Sequence, residues 1–305
     1  MVQSTSKIEL TYKSKDTEEF IDVYFYRPVG YILARFSHSL RLTPNSITFA
    51  SIFVGVAAGH LFYYNNFTVN LIGIFLLIIA NLMDSVDGQL ARMANICSRY
   101  GRILDGFGGN LWFFSIYIHI TLRLIDIGFS PAVFLIILLA GISHSFQSAY
   151  ADYYRNHYLF FVYGKKRSEI DDSATLKMDY GQLSWFKHFP QKFLMRVYIN
   201  YTLQQEMLSK YLLKLYNYAA AKFRDGLPEN ITQVYRSKNK PLVKYFNILT
   251  TNTRMFILFI SILSGHFLFY FLFELIVLNL LLVYVINKHE KNSKETYQEI
   301  CQLEM

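Results

Sequence analysis

The chain has 305 residues, of which 53% are hydrophobic and only 17% are charged. A soluble domain carries roughly 25% charged residues, so this composition excludes an ordinary water-soluble protein, and the apolar content excludes disorder. Lys and Arg number 30 against 22 Asp and Glu, and two cysteines are too few for a disulfide scaffold. Because the chain is so apolar, we interpret the excess of basic residues as the signal that orients the protein in a membrane. We expect no nucleic-acid partner.

Long stretches without a charged residue predict the membrane spans. A helix needs about 20 apolar residues to cross a hydrocarbon core of ~30 Å. The uncharged run 43–83 is long enough for two spans, and 255–287, interrupted only by Glu274, is long enough for two short ones. Glu274 is then either a loop residue or a buried acid with a partner elsewhere. We therefore predict six transmembrane helices, at 46–63, 67–84, 102–124, 129–153, 251–267 and 269–287.

The segments around these spans complete the predicted architecture, an all-α integral membrane protein with an N-terminal interfacial helix and a long cytoplasmic insertion. We expect no cleavable signal peptide, because the first 40 residues hold scattered charges and no clean apolar core. The predicted divisions are a cytoplasmic N-terminus and interfacial helix at 1–45, spans one to four at 46–154, the insertion at 155–250, spans five and six at 251–287 and a cytoplasmic tail at 288–305.

The loop charges predict the orientation. Lys and Arg dominate the connection after the second span, the insertion and the tail, whereas the connections on the other side are nearly uncharged. The positive-inside rule then places both termini and the connection after span two in the cytoplasm, for a multi-pass protein of the inner or plasma membrane. Residues 193–222 alternate apolar and basic positions at helical spacing, which favours a helix on an anionic leaflet or, alternatively, a cytosolic helix packed on its own domain.

Three carboxylates gather at the predicted cytoplasmic edge. Asp84 and Asp87 are three residues apart, so a helix places both on one face. Asp105 begins the next span, which returns antiparallel and starts at the same depth. Bare anions are costly where the dielectric constant falls, so a cation is needed to neutralise them. Oxygen ligands without a Cys and His cluster suit Mg²⁺, Mn²⁺ or Ca²⁺ rather than zinc.

Small and basic residues follow these carboxylates at fixed spacing. Gly88 and Ala91 leave a hollow for a flat ligand, and Arg92 can hold a phosphate. The whole pattern resembles the signature of the CDP-alcohol phosphotransferase family, also called CDP-alcohol phosphatidyltransferases. It runs Asp84-x2-Asp87-Gly88-x2-Ala91-Arg92-x8-Gly101-x3-Asp105, and Leu42-Thr-Pro44-Asn45-Ser-Ile-Thr48 before the first span is also similar to that family.

The resemblance implies a transferase of phospholipid biosynthesis. A small alcohol attacks the lipid-side phosphorus of a CDP-linked lipid such as CDP-diacylglycerol, and CMP leaves. The resemblance also implies that Asp84, Asp87 and Asp105 act in catalysis as ligands of Mg²⁺ or Mn²⁺. Two cations about 4 Å apart can clamp the attacking and leaving oxygens of an in-line displacement, so a two-metal site is expected.

The same resemblance assigns the nucleotide and the assembly. Gly88 and Ala91 are expected to give room for cytidine, Arg92 to steady the pocket, and Gly101 to belong to the same CDP-binding motif. A homodimer is also implied. Its interface is expected on spans three and four, where four glycines permit close helix approach: Gly106, Gly108, Gly109 and Gly141.

One position departs from the family pattern. The signature continues with a fourth aspartate four residues after the third, and this chain has Gly109 there. In the family that residue is expected to be both a metal ligand and the base that deprotonates the alcohol. Loss of a positioned base typically costs about 10²–10⁴-fold in rate. Three interpretations stay open: another residue serves, the chain binds CDP-lipid without turning it over, or a substitution disables the enzyme.

The fourth span offers replacement bases. His144, Ser148 and Asp152 recur every four residues as a polar stripe on an apolar helix. We expect Asp152 near the depth of the carboxylates, which makes Asp152 and His144 catalytic candidates. The alternatives are that the stripe forms the alcohol pocket or makes only hydrogen bonds between helices.

The sequence thus favours a CDP-alcohol phosphatidyltransferase. The second hypothesis is an impaired or non-catalytic relative, such as a partner subunit, that keeps metal and CDP-lipid binding. A transporter or channel ranks far below, because it would need acids along a pathway rather than at one edge. The sequence does not decide the acceptor alcohol: inositol phosphate, glycerol phosphate, serine and aminoalcohols are all open. A phosphorylated acceptor is slightly favoured by three basic residues before the first span, Arg35, His38 and Arg41.

Overall fold

The computed structural model describes residues 14, 16–223 and 227–302. The remaining residues, which include the start of the predicted N-terminal segment and the end of the predicted tail, lie outside the described residues. The helices are a π-helical turn Asp22–Tyr26, α1 Arg27–Ser39, α2 Pro44–Leu61, α3 Phe67–Ala94, α4 Arg99–Asp126, α5 Val133–Tyr163, a 3₁₀ turn Lys165–Arg167, α6 Ser173–Gln182, α7 Phe189–Met207, α8 Lys210–Lys222, α9 Glu229–Ile248, α10 Thr251–Ser264, α11 Phe267–Leu272, a π-helical segment Phe273–Leu278 and α12 Asn279–Gln302.

Four helical stretches of the described chain are long and apolar enough to cross a bilayer. They are Phe67–Ala94, Val133–Tyr163, Glu229–Ser264 and Phe267–Gln302. The prediction of an all-helical fold is therefore confirmed for the described residues, and four of its helical stretches are candidate membrane spans. The two further predicted spans correspond to α2 and α4, and their crossing stays a prediction.

Several helices extend beyond the ends that the sequence predicts. α3 continues past residue 84, where the predicted span ends, to Ala94, and Asn95 follows in the left-handed conformation with φ 54°. The last two predicted spans do separate, at Gly265 with φ 72°. The helix after this break continues past residue 287 to Gln302, so the predicted tail is largely helical.

The described chain forms two compact units. The N-terminal unit comprises Glu19–Ile142 and Arg254–Phe273. The C-terminal unit comprises Ser143–Thr253 with the chain from Glu274 onward, and the short stretch before Glu19 belongs to it as well.

Small residues bring the helices of the N-terminal unit close together. α2 packs against α3 and α4. A Cβ atom placed on Gly59 would lie 2.6 Å from the Ser115 hydroxyl oxygen, and one placed on Gly55 would overlap the Trp112 ring. Tight packing between membrane helices depends on such residues, because it is driven by close van der Waals contact.

Replacing Gly55 by Ala is expected to destabilise the protein by about 1–3 kcal/mol, the usual cost of overpacking. The added methyl group must displace the Trp112 ring. Thermal unfolding in detergent measures the effect. Gly106→Ala on α4 is the matched control, since a Cβ there meets no atom within 4 Å. Equal melting temperatures for the two variants would contradict this account of the packing.

In the C-terminal unit, α12 packs against α8 and α9. The Glu290 carboxylate accepts the backbone N–H of Tyr211 at 2.7 Å and so binds the first turn of α8. The short stretch before α1 is also fixed here, because Asp16 contacts Lys240 at 3.0 Å and Arg236 at 2.7 Å. Partial burial opposes the charge on Asp16, but the bonds to Lys240 and Tyr163 outweigh it and lower the pKa of Asp16 to about 2.

Candidate active site

The segment before α2 is held against the end of α3. The Gln89 side chain donates to the Arg27 carbonyl at 3.2 Å, and the Ser85 hydroxyl donates to the Tyr26 carbonyl at 3.4 Å. Gly30 permits this approach, because a Cβ there would lie 3.0 Å from the Gln89 amide nitrogen. α1 therefore rests on the same turns of α3 that carry the first two carboxylates.

The start of α2 contacts one of these carboxylates directly. Thr43 caps the helix by accepting the Ser46 N–H at 3.2 Å, and Pro44 occupies the first turn, where a missing N–H costs nothing. One turn further, the Thr48 hydroxyl donates to Asp87 Oδ2 at 2.5 Å. The motif before the first predicted span is thus a helix start that presents a hydroxyl to the candidate site.

The three carboxylates lie together. The Asp84 and Asp105 carboxyl groups are within hydrogen-bonding reach of each other, and Asp87 interacts electrostatically with both. Asp87 is 4% exposed, while Asp84 and Asp105 are half-buried. Like charges held this close repel one another strongly in a medium of low dielectric constant. The cluster is therefore a strong attractor of cations.

Two arginines lie within electrostatic reach of the cluster. Arg27 interacts with Asp84, and Arg92 interacts with Asp87. The Arg92 guanidinium folds back over Gly88, where a Cβ would stand 3.3 Å from Nη2. The space beside Gly88 that the sequence predicts for a flat ligand is thus bordered by a positive group suited to phosphate.

The first turn of α4 places the third carboxylate. Ser98 caps this helix by accepting the Gly101 N–H at 3.0 Å. A Cβ on Gly101 would lie 3.1 Å from the Ser98 hydroxyl oxygen and 3.3 Å from Asn45 Oδ1. Glycine therefore lets the starts of α2 and α4 approach each other beside Asp105.

Gly109 lies one helical turn beyond Asp105. It is half-buried, and a Cβ placed on it would meet no atom within 4 Å. The neighbouring Asn110 is exposed and its amide donates to the carbonyl of Gly106 on its own helix at 2.7 Å. A longer side chain therefore has room at position 109, and Asn110 is engaged elsewhere.

Comparison with known proteins identifies the segment that contains this cluster. Residues 41–158 match the family model of the CDP-alcohol phosphatidyltransferases. This segment, less than half of the chain, is similar to the CDP-alcohol phosphatidyltransferase family. The match begins just before α2 and includes every carboxylate of the cluster, so the family assignment and the geometry concern the same residues.

Two curated relatives carry a more specific name within the phosphatidyltransferase family. The CDP-diacylglycerol–glycerol-3-phosphate 3-phosphatidyltransferases of Rickettsia typhi and Rickettsia prowazekii are each 34% identical to this chain over 68 residues. The aligned part is 22% of this chain and 38% of each relative, so the chain spans less than half the length of the curated relatives it matches.

The donor set suits the divalent cations on which phosphatidyltransferases of this family typically depend. Asp84, Asp87 and Asp105 supply only carboxylate oxygens, the ligands that Mg²⁺ and Mn²⁺ prefer. Within the described residues, no group of three or more His, Cys, Asp or Glu side chains is already arranged around a single metal position. The residues fit the ions by chemistry and proximity, and metal binding there remains a proposal.

The two predicted replacement bases, His144 and Asp152, belong to the C-terminal unit. His144 Nδ1 lies 3.4 Å from the fully buried Glu274 carboxylate. Asp152 accepts the Asn156 amide at 3.1 Å. Between them on the stripe, the Ser148 carbonyl accepts the Tyr201 hydroxyl of α7 at 3.3 Å. Of these three contacts, only the one between His144 and Glu274 joins side chains of different helices. The roles of His144 and Asp152 as bases, and the approach of Asp152 to the carboxylates, stay predictions.

Two contacts of the site were not assigned from the sequence. Thr48 was recognised as part of a motif but given no role, and Arg27 was not singled out. The four-residue step from Pro44 to Thr48 places the hydroxyl one turn inside α2, which is a signal for the first contact. The contact of Arg27 with Asp84 depends on how α1 packs on α3, for which the sequence carries no comparable signal.

Replacing Thr48 by Val is expected to weaken the cation response of the site, because the variant removes a hydrogen bond to a buried carboxylate while keeping the side-chain volume. Hydrogen bonds to charged groups contribute about 1.5–3 kcal/mol, so a loss of roughly tenfold or more in apparent Mn²⁺ affinity is expected. Mn²⁺-dependent thermal stabilisation measures it. Thr48→Ser should retain the wild-type affinity.

Thr121→Val is the matched control for this change. Thr121 is also buried in the N-terminal unit, but its hydroxyl donates to the Tyr117 carbonyl of its own helix at 2.6 Å. Equal Mn²⁺ affinities for Thr48→Val and Thr121→Val would contradict the role of Thr48.

Proposed function

We propose that this chain transfers a phosphatidyl group from a CDP-linked lipid to the hydroxyl group of a small alcohol. The alcohol oxygen forms a bond to the lipid-side phosphorus, the bond from that phosphorus to CMP breaks, and the alcohol proton passes to a base. The observation that carries the proposal is the convergence of Asp84, Asp87 and Asp105 within the segment that matches the family.

In this proposal the three carboxylates hold Mg²⁺ or Mn²⁺, in a two-metal site, and bind the diphosphate through it. Bound divalent cations neutralise charge on the attacking and leaving oxygens of an in-line displacement. Thr48 and Arg27 orient Asp87 and Asp84 through the contacts described above. Arg92, beside Gly88, lies where a phosphate or the nucleotide can contact it. Ala91 and Gly101 complete the proposed CDP-binding motif.

We further propose glycerol 3-phosphate as the first acceptor to test. The two Rickettsia relatives are named for it, and the exposed Arg35 and Arg41 near the site segment suit a phosphorylated alcohol. An acceptor panel tests this point: CMP release is measured with glycerol 3-phosphate, serine, inositol phosphate and an aminoalcohol. Release with glycerol 3-phosphate alone supports the choice. Release only with another alcohol rejects this acceptor while leaving the reaction class intact.

A second candidate function follows from Gly109. A relative that binds metal and CDP-lipid without turnover, as a partner subunit or an inactive form, would tolerate glycine where the family has its fourth aspartate. The two functions differ in one observable: a non-catalytic relative binds CDP-diacylglycerol in the presence of Mn²⁺ but releases no CMP with any acceptor.

The proposed arrangement in the membrane has six spans, with α2 and α4 crossing in addition to the four helical stretches above. Both termini and the site then face the cytoplasm. The alcohol arrives there from water and CMP leaves into it, while the acyl chains of the CDP-linked lipid stay in the bilayer. A homodimer is also proposed. Gly108 and Gly141 serve packing within the chain, against Ile52 and Tyr117, whereas Cβ positions on Gly106 and Gly109 are open.

A further inference from the structure

A patch of aromatic side chains is exposed between α6 and α7. Phe186 is 101% exposed, Phe189 58%, Trp185 44% and Phe193 42%. The rings neighbour one another, with centroids 5.9 Å apart for Trp185 and Phe189 and 6.3 Å apart for Phe189 and Phe193. Contiguous exposed apolar groups mark an interaction surface, unlike single scattered ones. We call residues 185–193 the aromatic loop.

The loop has a defined conformation. The buried Lys192 donates to the Leu183 carbonyl, and its ammonium lies 4.5 Å from the centre of the Tyr180 ring and 5.5 Å from that of Trp185. The His188 N–H donates to the Ser184 carbonyl at 2.9 Å. Cation–π contacts and local hydrogen bonds thus hold the loop in the shape that exposes Phe186.

The charged residues within and directly after the loop are all basic. Between Tyr180 and Asn200 the chain contains Lys187, Lys192 and Arg196 and no Asp or Glu. Lys187 and Arg196 are exposed. Trp and Phe together with Lys and Arg are the residues that anchor segments at the interface of an anionic leaflet.

The helix that follows the loop lies beside a candidate membrane span. α7 packs on α5, with the Tyr150 hydroxyl donating to the Gln204 carbonyl at 2.7 Å and the Gln205 amide donating to the Ala149 carbonyl at 3.1 Å. α5 lies in one of the stretches long and apolar enough to cross a bilayer, so the helix that begins in the loop packs against a candidate membrane span.

We propose that the aromatic loop inserts into the headgroup region of an anionic leaflet. Trp185, Phe186 and Phe189 occupy the boundary with the acyl chains, and Lys187 and Arg196 contact lipid phosphates. This role is independent of the proposed transferase activity. It gives the predicted insertion a specific attachment to the membrane surface, at residues 185–196.

Tryptophan fluorescence tests the proposal, because the chain has only two Trp residues. Trp112→Phe leaves Trp185 as the single reporter in the full chain, reconstituted in vesicles that contain phosphatidylglycerol. We expect lipids brominated near the headgroup to remove most of the Trp185 emission, and iodide in the water phase to remove little. Vesicles of phosphatidylcholine alone should give weaker quenching by the brominated lipids.

Two further variants keep the experiment decisive. If Trp112→Phe does not fold, the emission of Trp185 is obtained by subtracting the Trp185→Phe spectrum from that of the wild type. Phe186→Ser with Lys187→Gln should raise iodide quenching of Trp185. Quenching of Trp185 by iodide without quenching by brominated lipid overturns the proposal. The proposal also fails if neither quencher reaches Trp185 and this protection changes with the protein-to-lipid ratio, because that result would indicate a protein partner.

Discussion

Replacing Asp87 by Asn should abolish Mn²⁺-dependent stabilisation and Mn²⁺-dependent CMP release, while the protein still inserts in the membrane. Asp87 is 4% exposed, accepts the Thr48 hydroxyl and lies within electrostatic reach of Asp105 and Arg92. Asn keeps the shape of the side chain but removes the charge that attracts a cation. Removing a residue that only hydrogen-bonds to a metal ligand lowers metal affinity or activity by about 10–100-fold, so removing a ligand itself should lower them at least as much.

The two readouts separate binding from turnover. Thermal unfolding with and without Mn²⁺ reports cation binding even if the wild type is inactive, and CMP release reports chemistry. Glu229→Gln is the matched control, because it also removes one carboxylate charge, at an exposed position at the start of α9. An unchanged response to Mn²⁺ in Asp87→Asn would remove the basis of the proposed site.

Replacing Gly109 by Asp should raise CMP release by an order of magnitude or more, within the ~10²–10⁴-fold range that a positioned general base supplies. The new carboxylate would stand one turn beyond Asp105 on the same face of α4. It has room there, because a Cβ at Gly109 meets no atom within 4 Å. The gain is expected if turnover is limited by the missing base.

The matched control is Gly106→Asp, which adds the same charge to the same helix at a position that is equally open. It should give no comparable gain, because position 106 is adjacent to Asp105 rather than one turn beyond it. If Asp152 or His144 has taken over as base, Gly109→Asp brings little gain, and Asp152→Asn or His144→Ala removes most of the activity. If Gly109→Asp, Asp152→Asn and His144→Ala all release CMP at the wild-type rate, the hydroxyl of the acceptor alcohol needs no base from the protein.

Local spacing made much of the site predictable. Asp84 and Asp87 share a helix face because they are three residues apart. Asp105 meets them because α4 follows after a short connection, runs antiparallel to α3 and starts at the same depth. The break between the last two spans was also predictable to within a few residues, because 33 residues are too many for one span, and the chain turns at Gly265.

Contacts between distant segments were not predictable in the same way. Glu274 was open to two interpretations, since an acid in an apolar run marks either a loop or a buried partner. Glu274 is fully buried in a π-helical segment, and its partner is His144 on another helix. No pattern in the sequence near Glu274 predicts that pair. The exposure of Phe186 is a similar case, because it follows from how Lys192 folds back on the loop.

The most direct test of the central claim is CMP release by the purified wild-type chain in nanodiscs that contain CDP-diacylglycerol. The proposed function predicts CMP release that requires both Mn²⁺ or Mg²⁺ and an acceptor alcohol, with one phosphatidylated product formed for each CMP. It also predicts that a chelator stops the reaction. Binding of CDP-diacylglycerol without CMP release, with every acceptor and either cation, would contradict it and leave a CDP-lipid-binding relative of the family.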